Sequence, residues 1–264
     1  MRVCVLGSGS KGNCTYIECG DTSILVDAGL SCAQIEKRLK AINVNPFCIN
    51  AILITHEHTD HIAGACNFAQ KYGAKLYTHK ETWDVMQQKF DKLPTTSLVD
   101  IYDKDFVIND VAVHPFRVSH DAVHCLGYQL GHNDNKVCIA TDLGHLTPQI
   151  IQTLSSSDLC VLEANHDVKT LLNNPNYPLR LKNRILSNIG HLNNDATADA
   201  IVQMLGYRVR GVILAHLSEH NNTPALAYKT VTDKLVSNGA TVNKDIYIDL
   251  SHQDKVGNIF KIKE

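Results

Sequence analysis

Thr55-His56-Glu57-His58-Thr59-Asp60-His61 follows directly on the apolar run Ala51-Ile52-Leu53-Ile54. A short, branched, apolar run predicts a buried β-strand, and the polar residues after it predict a loop at its carboxyl end. Three histidines and two carboxylates fall within the six residues from His56 to His61, in a chain that holds 14 histidines in all. Such a density reads as a metal site. Imidazole suits zinc, iron and manganese, an added carboxylate hardens the site, and His-x-His-x-Asp-His offers one pair of side chains to each of two adjacent ions.

The same device recurs outward from this stretch. Thr22 to Val26 delivers Asp27, Val111 to Val118 delivers Ser119-His120-Asp121, Lys136 to Ala140 delivers Thr141-Asp142, and Gly211 to Ala215 delivers His216. One apolar strand ending in a His or Asp means little, and Asp27 alone would pass for a turn former. Five of them, at 27, 56 to 61, 120, 142 and 216, predict convergence on one edge of a sheet.

Helices are expected over 31–39, 62–72, 178–188, 195–205 and about 225–237, with a strand over 75–78 and a final strand over 245–250. A chain of 264 residues can bury roughly 75% of its unfolded surface. No linker, repeat or low-complexity stretch interrupts it, so residues 1–264 read as a single α/β domain.

Composition narrows the setting. Nine cysteines form no C-x-x-C pair, and an odd number cannot all be bridged within one chain; they read as reduced core thiols of a cytoplasmic protein. The amino terminus reaches strand pattern at residue 2 without a secretion signal, and no apolar run approaches the roughly 20 residues that span a bilayer. No membrane partner is expected. With 25 basic and 27 acidic side chains the net charge of −2 neither invites nor excludes nucleic acid, since a local basic patch suffices to bind phosphates.

Gly7-Ser8-Gly9-Ser10-Lys11-Gly12-Asn13 matches G-x-G-x-x-G, with Asp27 about twenty residues beyond. The dinucleotide fingerprint needs a helix to open at the glycines, whereas Thr15-Tyr16-Ile17-Glu18 and Thr22 to Val26 continue as strands. The Walker pattern fails because Lys11 precedes Gly12 rather than Ser or Thr. What remains is a turn that lets backbone approach the site closely. On local grounds His79 reads as a surface residue, and Arg180, Lys182 and Arg184 as the solvated face of a helix.

The order Asp27, His56-x-His58-x-Asp60-His61, His120, Asp142, His216 resembles the metallo-β-lactamase superfamily over essentially the whole chain. Gly7 to Asn13, Val118 to Ala122, Glu163-Ala164-Asn165-His166-Asp167, Gly190-His191-Leu192 and His216-Leu217-Ser218 with Asn221-Asn222 resemble more closely the WalJ/YycJ group, bacterial, cytoplasmic and regarded as nuclease-like. Asn193 stands where that group usually has Ser, which puts a hydroxyl role there in question. The resemblance implies an αββα sandwich, two mixed sheets face to face with helices outside.

Carried over residue by residue, it implies that His56, His58 and His120 hold one ion, Asp60, His61 and His216 a second, and that Asp142 bridges them. Asp27 would stand behind the ligands and orient them. Two divalent ions, zinc or manganese with iron as a further choice, would share a water, lower its pKa and clamp a phosphodiester. The implied function is metal-dependent hydrolysis of nucleic acid, DNA cut from an end, with Arg180, Lys182 and Arg184 on its phosphates. Asp60 and His191 are the catalytic candidates. His191 is left over once the strand ends are assigned, in a turn between Gly190 and Asn193-Asn194 suited to presenting a side chain: either a structural residue or a group that stabilises charge or protonates the leaving oxygen.

Other members of the superfamily set the alternatives. His58 stands where oxygen-reducing diiron relatives have Glu, and the bridging Asp142 counts against a true β-lactamase. Glyoxalase II-like thioesterases share that bridge but bind substrate through a carboxyl-terminal helical region, where this chain reads as strand. A cyclic-nucleotide or other small phosphodiesterase is the principal alternative; a noncatalytic module would be expected to have lost ligands.

Overall fold

In a computed structural model that describes residues 1–90 and 98–262, the chain opens as an antiparallel meander of β1 (Arg2–Gly7), β2 (Cys14–Cys19) and β3 (Thr22–Val26). Helix α1 (Cys32–Ala41) crosses over to β4 (Ile49–Leu53), α2 (Thr59–Ile62) and α3 (Ala65–Tyr72) lead to β5 (Lys75–Thr78), and α4 (Lys80–Lys89) precedes β6 (Leu98–Asp100). From β3 to β6 the pairing is parallel, so β4 is covered on both faces and its Ala51, Ile52 and Leu53 are fully buried.

A second antiparallel run, β7 (Phe106–Ile108), β8 (Val111–Arg117) and β9 (Leu126–His132), precedes four parallel strands: β10 (Asn135–Ala140), β11 (Leu159–Glu163), β12 (Gly211–Ala215) and β13 (Tyr247–Leu250). Their crossovers carry α5 (Pro148–Ser155), α6 (Val168–Asn173), α7 (Leu179–Ile185), α8 (Asn194–Met204) and α9 (Pro224–Ser237). β14 (Ile259–Lys261) returns to pair antiparallel with β1. The result is two mixed seven-stranded sheets, ordered β14-β1-β2-β3-β4-β5-β6 and β13-β12-β11-β10-β9-β8-β7, with helices, the αββα class expected.

The chain divides into two compact units. The first comprises Met1–Arg117, Ala122–Asn135 and His252–Glu264, the second Val118–Asp121 and Lys136–Ser251.

Two expectations need correction. The strand over 245–250 is not the last, since β14 follows it; three residues are too short for periodicity to mark. The helix expected over 62–72 is broken between α2 and α3. Gly64 lies against the Leu30 carbonyl, only 2.1 Å from where a Cβ would be, and the break leaves Asp60 and His61 on a short helix of their own.

Within the first unit a buried hydrogen bond braces the end of β4. Tyr128 on β9, fully buried, donates its hydroxyl to the Ile54 carbonyl at 2.7 Å. Tyr128→Phe is therefore expected to cost about 1–2 kcal/mol, read as a lower urea midpoint at unchanged slope.

Candidate metal centre

Parallel pairing of β3 with β4 brings Asp27 and the stretch from Thr55 to His61 side by side in the first unit. Asp27 sits just past its strand at φ 60°, a left-handed conformation that costs a non-glycine residue energy, and its N–H donates to the Leu53 carbonyl at 2.8 Å. Its buried carboxylate accepts from the Thr55 N–H at 2.9 Å, from the Thr55 hydroxyl at 3.0 Å and from His61 Nδ1 at 2.8 Å. Thr55 Oγ1 is also 3.0 Å from His56 Nδ1, so with its proton given to Asp27 it accepts from that ring. Burial pushes the Asp27 carboxyl up, and His61 and Thr55 pull against that shift. The His56 ring centroid is 4.1 Å from that of His61 and 4.5 Å from that of His58.

The glycine-rich turn does approach closely, and no helix opens at it. Asn13 Nδ2 lies 3.1 Å from His61 Nε2 and 3.3 Å from Asp60 Oδ2, and the Asn13 N–H donates to the Asp60 carbonyl at 2.7 Å. That same carbonyl oxygen lies 1.6 Å from where a Cβ on Gly29 would stand, so only glycine allows the approach.

In the second unit a carboxylate to which the sequence pattern gave no role organises the histidines. Glu163, fully buried at the end of β11, accepts from His191 Nδ1 at 2.8 Å and His216 Nδ1 at 2.9 Å through one oxygen, and from the N–H groups of Leu143 and Leu192 through the other. Burial works to raise its pKa, but His191 and His216 hold it down at about 2. The same contact raises the His191 imidazole against its own burial. Asp142 and His216 both follow strands in the left-handed region, at φ 59° and 55°. Asp142 Oδ1 is 3.4 Å from His216 Nδ1, 3.7 Å from His191 Nδ1 and 3.8 Å from His120 Nε2. His120 Nδ1 in turn donates to the Gly190 carbonyl at 3.1 Å, and the ring of His191 lies 5.1 Å from that of His120 and 5.3 Å from that of His216.

Each unit thus gathers part of the expected set: His56, His58, Asp60, His61 and Asp27 in the first, and His120, Asp142, His191 and His216 in the second. The basic trio fares differently. Helix α7 buries none of its residues; Arg180 is exposed, Lys182 Nζ donates to the Leu172 carbonyl at 2.6 Å, and Arg184 is ion-paired with Asp121. Asn193 caps α8, its side chain accepting from the Ala196 N–H at 2.8 Å, a task Ser performs equally well. Thr55, Asn13 and Glu163 were missed. Glu163 carried a signal, since Leu159 to Leu162 is one more apolar strand ending in a carboxylate.

The arrangement is that of a metal-binding hydrolase fold, and the comparisons agree. Residues 22–217 match the family model of the beta-lactamase superfamily domain, and the chain belongs to that family. Within it the chain belongs with the WalJ and YycJ proteins: it is 38% identical to the exodeoxyribonuclease WalJ of Streptococcus pneumoniae, over 94% of this chain and 93% of that one, and 34% identical to the exodeoxyribonuclease YycJ of Bacillus anthracis, over 92% of each. Among solved structures, the metallo-beta-lactamase fold protein YhfI of Bacillus subtilis superposes with a TM-score of 0.72 at 17% identity, covering 98% of this chain and 99% of that one. Its likeness is one of fold. The fold and the His/Asp clusters together call for divalent metal ions.

Proposed function

We propose that the chain is a metal-dependent phosphodiester hydrolase that degrades DNA from an end, its two units working as one cytoplasmic hydrolase domain. One observation carries the metal part. His56, His61, His120 and His216 each have Nδ1 engaged, by Thr55 Oγ1, Asp27, the Gly190 carbonyl and Glu163 respectively, which leaves Nε2 as the lone-pair nitrogen of every ring. Metal-binding histidines have this signature: the second nitrogen gives its proton to an acceptor that sets tautomer and orientation. The names of the WalJ and YycJ relatives support DNA as substrate, and the odd count of cysteines supports a reducing compartment. Among the described residues no helix is long and apolar enough to cross a membrane.

The ligand set we propose is His56, His58 and His120 for one ion, Asp60, His61 and His216 for the other, and Asp142 for both, with zinc or manganese suited to these donors. When bound, two such ions lower the pKa of water and neutralise charge on a phosphodiester. The chain's own residues do the rest. Asp27 and Glu163 orient ligand rings, Asn13 holds Asp60 in place, and His191, braced by Glu163, donates a proton to the leaving oxygen. Asp27→Asn replaces an anionic acceptor by a neutral one and is expected to lower metal affinity by about 10–100-fold, measured by competition with a chromophoric chelator.

Assays of the metal-replete protein on single- and double-stranded DNA, RNA, bis-p-nitrophenyl phosphate and a thioester test the reading. DNA shortened from its ends, with activity lost to chelator and restored by zinc or manganese, is expected. Hydrolysis of the thioester without any phosphodiester would overturn it, and activity confined to the small ester would make the chain a small-molecule phosphodiesterase.

Arg180, Lys182 and Arg184 are proposed to contact the DNA backbone. Arg180→Glu is the cleanest variant, because Lys182 and Arg184 also hold internal contacts. It should weaken DNA binding and reduce the slope of log affinity against log salt by about one, read by fluorescence anisotropy. An unchanged slope would return α7 to a solvated face.

A further inference from the structure

In the second unit, three side chains converge on the backbone just before His191. The Asn188 carbonyl accepts from the Ser119 hydroxyl at 2.8 Å and from His145 Nδ1 at 3.0 Å, and the Gly190 carbonyl, two residues on, accepts from His120 Nδ1 at 3.1 Å. Gly144 leaves room for this approach, since a Cβ there would stand 2.3 Å from the Asn188 carbonyl. Ile189 lies between the two held carbonyls and is nevertheless 49% exposed, and His145 is exposed as well. A single apolar side chain at a protein surface is ordinary. This one is fixed by bonds on both sides of it, with an imidazole ring bonded to the peptide group that joins it to Asn188.

We propose that the His145 ring and the Ile189 side chain form a platform for the terminal base of the DNA strand being cut, an inference that deepens the hydrolase reading and rests on it. Position is the first argument. His145 follows Asp142, the proposed bridging ligand, by three residues, and Ile189 precedes His191, the proposed proton donor, by two. The Cα atoms of Ile189 and His191 are therefore no more than about 7.6 Å apart, so a nucleotide whose leaving oxygen meets His191 brings its base or sugar within reach of Ile189. Chemistry is the second. An imidazole face beside a branched aliphatic group offers apolar contact without a hydrogen-bond code, and every base has a π-face, so the contact tolerates any sequence, as stepwise degradation requires. Bases inside a duplex are covered above and below by their neighbours, whereas a terminal base leaves one face bare. A platform for that face distinguishes an end from an internal phosphodiester. Helix α7 leads directly into this loop and exposes Arg180, a charge suited to the adjoining backbone phosphates. Because the carbonyls on either side are already held, little ordering of the loop is lost on binding.

Steady-state kinetics of the metal-replete full-length protein test the platform, on a linear oligonucleotide and on the same oligonucleotide with an abasic residue at each end. His145→Ala and Ile189→Ala, both at exposed positions where folding is not at risk, should each raise KM on the normal oligonucleotide by about 10-fold, with kcat little changed. His145→Phe should keep the parent's KM, because a phenyl ring still stacks although it cannot donate to Asn188, whose carbonyl Ser119 continues to hold. With abasic ends the parent should itself lose about 10-fold in KM, and the two alanine variants should lose nothing further. If His145→Phe is as impaired as His145→Ala, the ring is only a brace for Asn188 and the proposal falls. It falls equally if both alanine variants match the parent on normal ends, or if their defects persist undiminished on abasic ends. A parent that hydrolyses another ester but leaves DNA intact would instead overturn the hydrolase reading, and the platform with it.

Discussion

Asp142→Asn is expected to abolish turnover almost completely, by on the order of 10³-fold or more, which is about 4 kcal/mol of transition-state stabilisation. Asn is the right replacement because it keeps the shape of the side chain and tolerates the left-handed backbone at φ 59° that this position requires. The fold should therefore survive, leaving charge as the only change. The carboxylate proposed to serve both ions is lost at a position 2% exposed, where Oδ1 lies within 3.8 Å of His216, His191 and His120. Bound metal should fall from about two ions at the proposed dinuclear set to one or fewer by elemental analysis. Asp27→Asn should be milder, because Asp27 touches a ligand through a hydrogen bond rather than holding an ion itself. Retention of both ions at full activity in Asp142→Asn would remove the bridging assignment.

His191→Ala carries the second large effect. Divalent ions at the proposed set would supply an activated water but no proton, so a leaving alkoxide would need a donor. His191 is 20% exposed at its side chain, and its Nδ1 is given to Glu163 at 2.8 Å, which leaves Nε2 to face a substrate. The variant should keep its metals and fold while the rate on DNA falls by roughly 10²-fold or more, the usual size of a general acid contribution. Bis-p-nitrophenyl phosphate separates the possible roles, since p-nitrophenolate leaves without help. Most of the loss should disappear on that substrate if His191 donates a proton, and most should remain if it stabilises charge on the phosphoryl oxygens. Equal turnover of variant and parent on DNA would leave His191 a structural residue. Because Glu163 also holds His216 Nδ1 at 2.9 Å, Glu163→Gln is a poor substitute for this test: it would disturb a proposed ligand and the proposed acid together.

The chain's apolar strand ends made most of the candidate site's donors legible in advance, as residues that leave the core at strand ends. A run such as Gly211 to Ala215 can only be buried, and a polar residue placed directly after it must emerge at the strand's end, so linear order is enough to nominate Asp27, His56, Asp142 and His216. The helices expected over 31–39 and about 225–237 begin within a residue or two of where the structure starts α1 and α9, which Ser31 and Thr223 cap. Elements without such marks were not readable. β6, β7 and β14 are three residues each, too short for alternation to register, and the break between α2 and α3 depends on Gly64 meeting the Leu30 backbone, 34 positions away in sequence.

By itself, then, the sequence determined the inventory of donors and their delivery by strand ends, because those follow from burial and from side-chain period, which are local, while the αββα class was implied by the resemblance of its motifs to a known family. Tertiary structure alone decided how the donors are held. That His61 gives its proton to Asp27 across 34 residues, that one Glu163 oxygen serves both His191 and His216, that Asn13 reaches Asp60 and His61 from the glycine turn, and that Arg184 is committed to Asp121 are all contacts between segments distant in the chain. The physical reason is that a hydrogen bond depends on tenths of an ångström and on direction, whereas sequence spacing constrains only which residues can leave the core.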